Sequence, residues 1–345
     1  MNILFRADAS ITLGTGHIMR CLTLARELKD GGAHVSFVTR EGQGNLCDYI
    51  QKNGFTVLRL PQSIVWNQAV DAQETINILK EFQEVHWLFV DHYSLDKNWE
   101  MQIKPYVRNI GIIDDLADRS HHCNLLLDQN FYLDLDNRYK QLVPAECKLF
   151  LGPQFALLRE QFKKVALRER SGELQRVLVF YGGTDPTNET TKALLALSNC
   201  NNLQIDVIVG SGNPFKTDIQ EICDIHSNMN FYCQVENIAK FMNNADLALG
   251  AVGTATWERC YLGLPSVVTV IADNQCKIAA DLAKMQALVN LGWYAEVTVA
   301  VLYDTISTFQ HKSSLLRHLS EQAVKLMGRQ RYRQDNLLVE YILDH

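Results

Sequence analysis

No run of apolar residues in the chain reaches the ~18 needed for a membrane helix, and the opening MNILFRADAS meets Arg6 and Asp8 too soon to act as a signal sequence. A cytoplasmic protein without a membrane partner is the expectation. Basic charge is also short: 33 Lys and Arg against 39 Asp and Glu leave a net charge of −6. A surface that tracks nucleic-acid phosphates therefore has no global support, although local cations can hold one small anion. Nine cysteines, scattered from Cys21 to Cys276 without a Cys-x-x-Cys pair, read as reduced and mostly buried thiols rather than a disulfide scaffold or zinc site. The SHHC segment at 120–123 has metal-ligand character, but adjacent ligands on so short a segment point apart, and no metal is expected. The chain also lacks a Gly-Lys-Ser/Thr phosphate loop and the third glycine of a dinucleotide fingerprint, which disfavours nucleotide triphosphate hydrolysis of that type and dinucleotide cofactors.

What is present is a β/α alternation over 345 residues, 47% of them hydrophobic and 21% charged, enough for two domains of ~100–200 residues. Strand-like runs fall at 2–8, 34–40, 56–60, 87–93, 109–115 and 124–130, several of them separated by helical stretches. The clearest helix places Ile18, Cys21, Leu22, Leu24, Ala25 and Leu28 on a 3.6-residue period and ends in Asp-Gly-Gly. After a charged connector, RVLVFYGGTDPTNETTKALLAL repeats the same grammar of apolar strand, glycine loop, polar cap and helix, and further strand-like runs continue to about residue 271. The expected class is α/β: two Rossmann-like, doubly wound parallel-sheet domains facing across a cleft. The boundaries read as 1–150, a linker at 151–174, 175–328, and a C-terminal helix at 329–345 that either packs back on the first domain or stands as a plain terminal helix.

Four clusters fall where strands end. In LGTGH, Gly14 and Gly16 let an anion or sugar approach the backbone at a helix start, and His17 follows directly. The helix N-terminus disfavours imidazolium by roughly 0.3–1 kcal/mol, so His17 is either a proton acceptor or an exposed capping residue. Arg6, Asp8 and Arg20 flank the same loop as candidate substrate contacts. DHY at 91–93 ends an apolar strand and either lines a sugar pocket or simply terminates the strand. YGGTDP offers Gly182, Gly183 and Thr184 as a pyrophosphate cradle, with an ordinary capped turn as the competing reading. Finally, GAVGTATWERCYLGLPSVVTVIADNQ places Gly253, Thr254 and Thr256 at a strand-to-helix turn, where backbone N–H groups of 253–256 can hold a phosphate oxygen. Glu258, one turn inside, suits ribose hydroxyls or else complements the helix dipole. Asn274 and Gln275 can donate to substrate oxygens without adding charge.

Taken in order, RADAS…GTGHIMRCLTLA, DHY, IIDDLADR, LLLDQN, LGPQFALLR, YGGTDP and GTATWERCYLGLPSVV…ADNQ resemble the UDP-sugar hydrolases of pseudaminic acid biosynthesis, the PseG family. The resemblance spans residues 6–275. It implies a GT-B-like fold with the nucleotide held mainly by the C-terminal domain, and hydrolysis of UDP-2,4-diacetamido-2,4,6-trideoxy-β-L-altropyranose to UDP and the free altrose derivative, a step that serves flagellin glycosylation and cell-surface polysaccharide. It also implies that His17 is the base and that Tyr93 and Asn274 orient substrate and water. Val252 and Ala255 stand where that pattern has a small residue and a Ser or Thr.

UDP is a good leaving group, so donors at Gly182, Gly183 and 253–256 that spread its developing charge suffice without a strong acid. Water needs activation, and His17 as general base supplies roughly 10²–10⁴-fold. The expected reaction is direct displacement with inversion by a monomer that takes a UDP-sugar and needs no cofactor or metal. A GT-B glycosyltransferase and a non-catalytic nucleotide-sugar binder are the rival readings.

Overall fold

The computed structural model describes residues 1–10, 13–62, 66–328 and 336–345. Two compact units emerge: Met1–Asn130 with Asp134–Leu157 and Gln334–His345, and Phe131–Leu133 with Leu158–Arg333. Among the described residues the first unit carries a seven-stranded sheet of β1 (Asn2–Ala7), β2 (His34–Arg40), β3 (Thr56–Leu60), β4 (Trp87–Asp91), β5 (Asn109–Ile113), β6 (Leu125–Asp128) and β7 (Lys148–Leu151). Its order is β3-β2-β1-β4-β5-β6-β7, with every pairing parallel. Such strands are buried on both faces and need near-continuous apolar sequence. WLFVD in β4 is buried at all five positions, and Phe5 stacks between Phe37 and Phe89 at 5.2 Å from each.

Strand order reverses between β1 and β4, the place where doubly wound sheets bind ligands. The helix Gly16–Asp30 leaves β1 there, and its apolar stripe, from Ile18 to Leu28, is buried in the core. Its C-cap Gly31 and the following Gly32, at φ +90°, end it. On that same side of the core lies the helix Leu337–Asp344, which inserts Leu338, Val339 and Ile342 and receives a 3.1 Å hydrogen bond from Trp87 Nε1 on the Ile342 carbonyl. The remainder of the expected terminal helix, 329–335, lies outside the described residues.

In the second unit, β8 (Arg176–Phe180), β9 (Gln204–Val209), β10 (Met229–Cys233), β11 (Leu247–Ala251), β12 (Ser266–Val270) and β13 (Val289–Trp293) form a parallel sheet of order β10-β9-β8-β11-β12-β13. Two strands differ from expectation. Neither is among the strand-like runs of the sequence: the four residues of β7 run straight into Gly-Pro, and β13 is interrupted by Asn290 and by Gly292 at φ +98°. The linker boundary also shifts: the first unit continues to Leu157 and the rest of the connector packs with the second. Arg170 fixes it there, donating from Nε to the Gly263 carbonyl at 2.7 Å and from its other nitrogens to carbonyls of Met242, Asn243, Ala245 and Leu262. No helix among the described residues is long and apolar enough to cross a membrane.

Candidate active site

The helix that begins at Gly16 has no side-chain cap and no acidic residue in its first turn. His17 and Arg20 sit three residues apart on one face and both turn toward the end of β4, where Asp91 is buried. His17 Nδ1 lies 2.5 Å from Asp91 Oδ1. Arg20 donates to the same carboxylate from Nε at 2.5 Å and Nη2 at 2.6 Å, and from Nη1 to Asp115 Oδ2 at 2.8 Å. Tyr93 Oη donates to Asp115 Oδ2 at 3.4 Å, and its ring meets His17 edge-on at 4.5 Å.

Burial would raise the Asp91 carboxyl, but Arg20 and then His17 outweigh it and hold the group well below the usual carboxylate range. An ionised Asp91 can only accept, so His17 Nδ1 carries the proton and donates. Arg20 Nη2 is farther from Nδ1, at 3.3 Å, and does not change that assignment. Nε2 has no protein partner among the described residues, and in a neutral ring with Nδ1 protonated it is the nitrogen that bears the lone pair. Burial, then the Asp115 carboxylate, push the Tyr93 phenol up, so it remains a donor.

Arg6 and Asp8, expected to touch substrate, are positioned otherwise. Arg6 has no exposed surface, and its guanidinium is engaged by Asp8 at 2.6 and 2.8 Å and by Asp71 at 2.6 and 3.2 Å. Asp71 also accepts from Trp99 Nε1 at 3.0 Å, and Asp8 from the Arg40 backbone N–H at 2.7 Å. The Arg6–Asp8 pair, at the end of β1 and tied to Asp71 and Arg40, braces the loop, with every guanidinium nitrogen of Arg6 bonded to a carboxylate. Arg20 is likewise nearly sealed and acts on Asp91 and Asp115. Of the glycines, Gly14 is required by its φ of +73° and closes the loop with a 2.9 Å bond to the Ser10 carbonyl, whereas Gly16 faces open space.

In the second unit the two glycine loops differ. Gly182, at φ +97°, and Gly183 are open above their backbone, and Thr184 is exposed. The helix that follows, Glu189–Leu197, is closed to anions because Asp185 accepts from the N–H groups of Glu189 at 3.0 Å and Thr190 at 2.8 Å. At the helix Thr254–Tyr261, Gly253 N–H donates to Thr256 Oγ1 at 3.1 Å and Thr256 N–H to the Gly253 carbonyl at 2.8 Å. The expected set of four backbone donors at 253–256 therefore reduces to Thr254 and Ala255, and the Thr256 hydroxyl is a cap. Glu258 Oε1 accepts from Arg159 Nε at 2.8 Å, and Oε2 has no protein partner among the described residues. Burial raises its carboxyl despite Arg159. Asn274 is exposed in the turn Asp273–Gln275, which Gln275 holds by accepting from Ile271 N–H at 3.1 Å.

Asp91, Asp115 and Arg159, each inside a segment quoted from the sequence but none among the candidate site residues, are the partners of His17, Arg20 and Glu258. Asp91 carried a signal, since it closes the strand beside β1 at the order reversal; Asp115 and Arg159 lie 95 and 99 residues from the partners they hold and carried none. In the SHHC segment, His121 Nδ1 pairs with buried Glu100 at 2.6 Å, and among the described residues no three His, Cys, Asp or Glu side chains are grouped to hold a metal.

No family model matches the chain. The UDP-2,4-diacetamido-2,4,6-trideoxy-beta-L-altropyranose hydrolase of Campylobacter jejuni is 30% identical over 286 residues, 82% of this chain and 97% of the relative. The spore coat polysaccharide biosynthesis protein SpsG of Bacillus subtilis is 21% identical, with 85% of this chain and 84% of the relative aligned. Among solved structures, Acinetobacter baumannii MurG superposes with a TM-score of 0.67 at 16% identity over 100% of this chain and 99% of its own. The spinosyn rhamnosyltransferase SpnG with its aglycone gives 0.68 at 14% identity, with 100% of both chains covered. These structures share the GT-B glycosyltransferase fold, and the sequence relationship to the Campylobacter enzyme shows that the chain belongs to the family of UDP-2,4-diacetamido-2,4,6-trideoxy-β-L-altropyranose hydrolases.

Proposed function

We propose that the chain hydrolyses UDP-2,4-diacetamido-2,4,6-trideoxy-β-L-altropyranose to UDP and the free sugar in pseudaminic acid biosynthesis, by attack of water on the anomeric carbon with inversion. The observation that carries this reading is the Asp91–His17 pair at 2.5 Å, which fixes the imidazole with Nδ1 protonated and Nε2 ready to take a proton from water. General-base assistance of this kind contributes roughly 10²–10⁴-fold. Tyr93, packed against the imidazole, donates to substrate or water, and Asn274 supplies an uncharged amide for the same task. In the second unit, Glu258 Oε2 accepts from ribose hydroxyls, and the Thr254 and Ala255 N–H groups with the Gly182–Gly183 loop receive the diphosphate.

Electrons move from the water oxygen to the anomeric carbon as the bond to the UDP oxygen breaks, and the water proton passes to His17 Nε2. Hydrolysis in ¹⁸O-water tests the step: label in the sugar supports attack at carbon, and label in UDP refutes it. His17→Asn retains UDP affinity and loses turnover; a variant with full turnover removes the imidazole from the mechanism. The fold shared with glycosyltransferases favours transfer to an acceptor as the second reading, and UDP release that appears only when an acceptor is added would support it over hydrolysis.

A further inference from the structure

The first unit's deeply buried arginines are matched by carboxylates: Arg6 by Asp8 and Asp71, Arg20 by Asp91 and Asp115. Arg259 is different. It is 1% exposed, yet its contacts are the Ala251 carbonyl at 2.8 Å and the Thr256 hydroxyl at 3.2 Å, both to Nη2. Its Nε is sealed from solvent with no hydrogen-bond partner. The neighbouring carboxylate, Glu258, is held by Arg159 instead. An uncompensated buried guanidinium is costly, and burial accordingly depresses this group.

Its position adds to the cost. Side chains on a helix lean back toward its N-terminus, so Arg259 reaches from the second turn of Thr254–Tyr261 to the first, where it meets Thr256. Among the described residues the Thr254 and Ala255 N–H groups have no acceptor there, and the helix dipole is positive, an end that favours anions and disfavours cations. Room for the guanidinium exists because residue 250 is glycine: a Cβ at Gly250 would stand 2.7 Å from Arg259 Nη1. Two sources of positive potential thus converge on one turn, and among the described residues no carboxylate hydrogen-bonds to the guanidinium; Glu258, bonded to Arg159, acts on it only through space.

We propose that Arg259 is a built-in counter-charge for a diphosphate, a binding residue whose charge is neutralised when the nucleotide occupies the turn at 251–256. This rests on the UDP-sugar reading above and identifies the group that the second unit uses to hold the leaving group. The same guanidinium stabilises the charge that grows on UDP as the sugar bond breaks.

Arg259→Met keeps the apolar stem and removes the charge. Calorimetric titration of the full-length protein should show UDP affinity falling roughly 10- to 100-fold, as for loss of a charged hydrogen bond, with uridine affinity within about threefold of wild type. Arg259→Lys, which restores a positive charge and serves where methionine does not fold, should bind UDP more tightly than Arg259→Gln. Equal UDP affinity in Arg259→Met and wild type, or a parallel loss of UDP and uridine, overturns the assignment while the hydrolase reading stands. A wild-type protein that binds no UDP overturns both.

Discussion

Replacing Asp91 with asparagine is the most demanding test of the catalytic geometry. The carboxylate accepts from His17 Nδ1 at 2.5 Å, Arg20 Nη2 at 2.6 Å and Arg20 Nε at 2.5 Å. Asparagine offers one accepting oxygen and one NH₂ group, so it cannot serve both sides. With oxygen toward His17, the NH₂ opposes Arg20 Nε, donor against donor. With NH₂ toward His17, Nδ1 must become the acceptor and the proton moves to Nε2, which destroys the base. Both arrangements remove the proton acceptor from its working geometry, and kcat should fall ~10²–10⁴-fold, or about 3–5 kcal/mol in activation free energy. UDP affinity, which the proposal places on the second unit, should change little. Leaving Arg20 and His17 without their carboxylate should also lower the stability of the first unit by about 3–5 kcal/mol. The assay is UDP release under saturating substrate from about pH 6 to about pH 9, with the low kcat persisting throughout because the tautomer is altered. A folded Asp91→Asn protein with kcat within about threefold of wild type would refute the Asp–His account.

The remaining expectations concern the first unit's stability. Ile342→Ala, which empties a fully buried position where the C-terminal helix meets the core, should cost about 2–4 kcal/mol in denaturant unfolding; a change below about 0.5 kcal/mol would mean that the helix contributes no core. Asp71 is lowered from 3.8 to about 2 because Arg6 and Arg40 outweigh burial. A depressed carboxyl contributes stability above its unfolded pKa and loses it as pH falls through the folded one, so about 2 kcal/mol should disappear between about pH 5 and about pH 1. Comparing acid unfolding of wild type and Asp71→Asn checks this, and equal pH dependence would contradict it.

Much of the architecture was legible because parallel strands buried on both faces must be apolar. Runs such as NILF, WLFV and SVVTV announce themselves, and the 3.6-residue stripe from Ile18 to Leu28 does the same for its helix. β7 and β13 were harder, since an edge strand needs less apolar sequence and a glycine at positive φ breaks the pattern. At the site, His17 could be singled out because a histidine beside a glycine turn is chemically informative by itself. Asp91 was visible as part of a cluster but not as a partner, because only the pairing of β4 with β1 brings it to the helix. Arg6 and Asp8 show a related limit: a charged residue ending a strand reads as ligand-facing, and only the fold reveals that Asp71 also closes around Arg6. The same holds for Asp185, whose role as a cap depends on the loop doubling back over its own helix.

The hydrogen bond from Trp87 to the Ile342 carbonyl has a consequence for the order in which the polypeptide matures. Residues 2–7 and 337–344 share a hydrophobic interior, while the second sheet is assembled from sequence lying between them. During synthesis the later sheet can therefore consolidate first, and the unit that bears the imidazole gains its last wall only after residue 342 has left the ribosome.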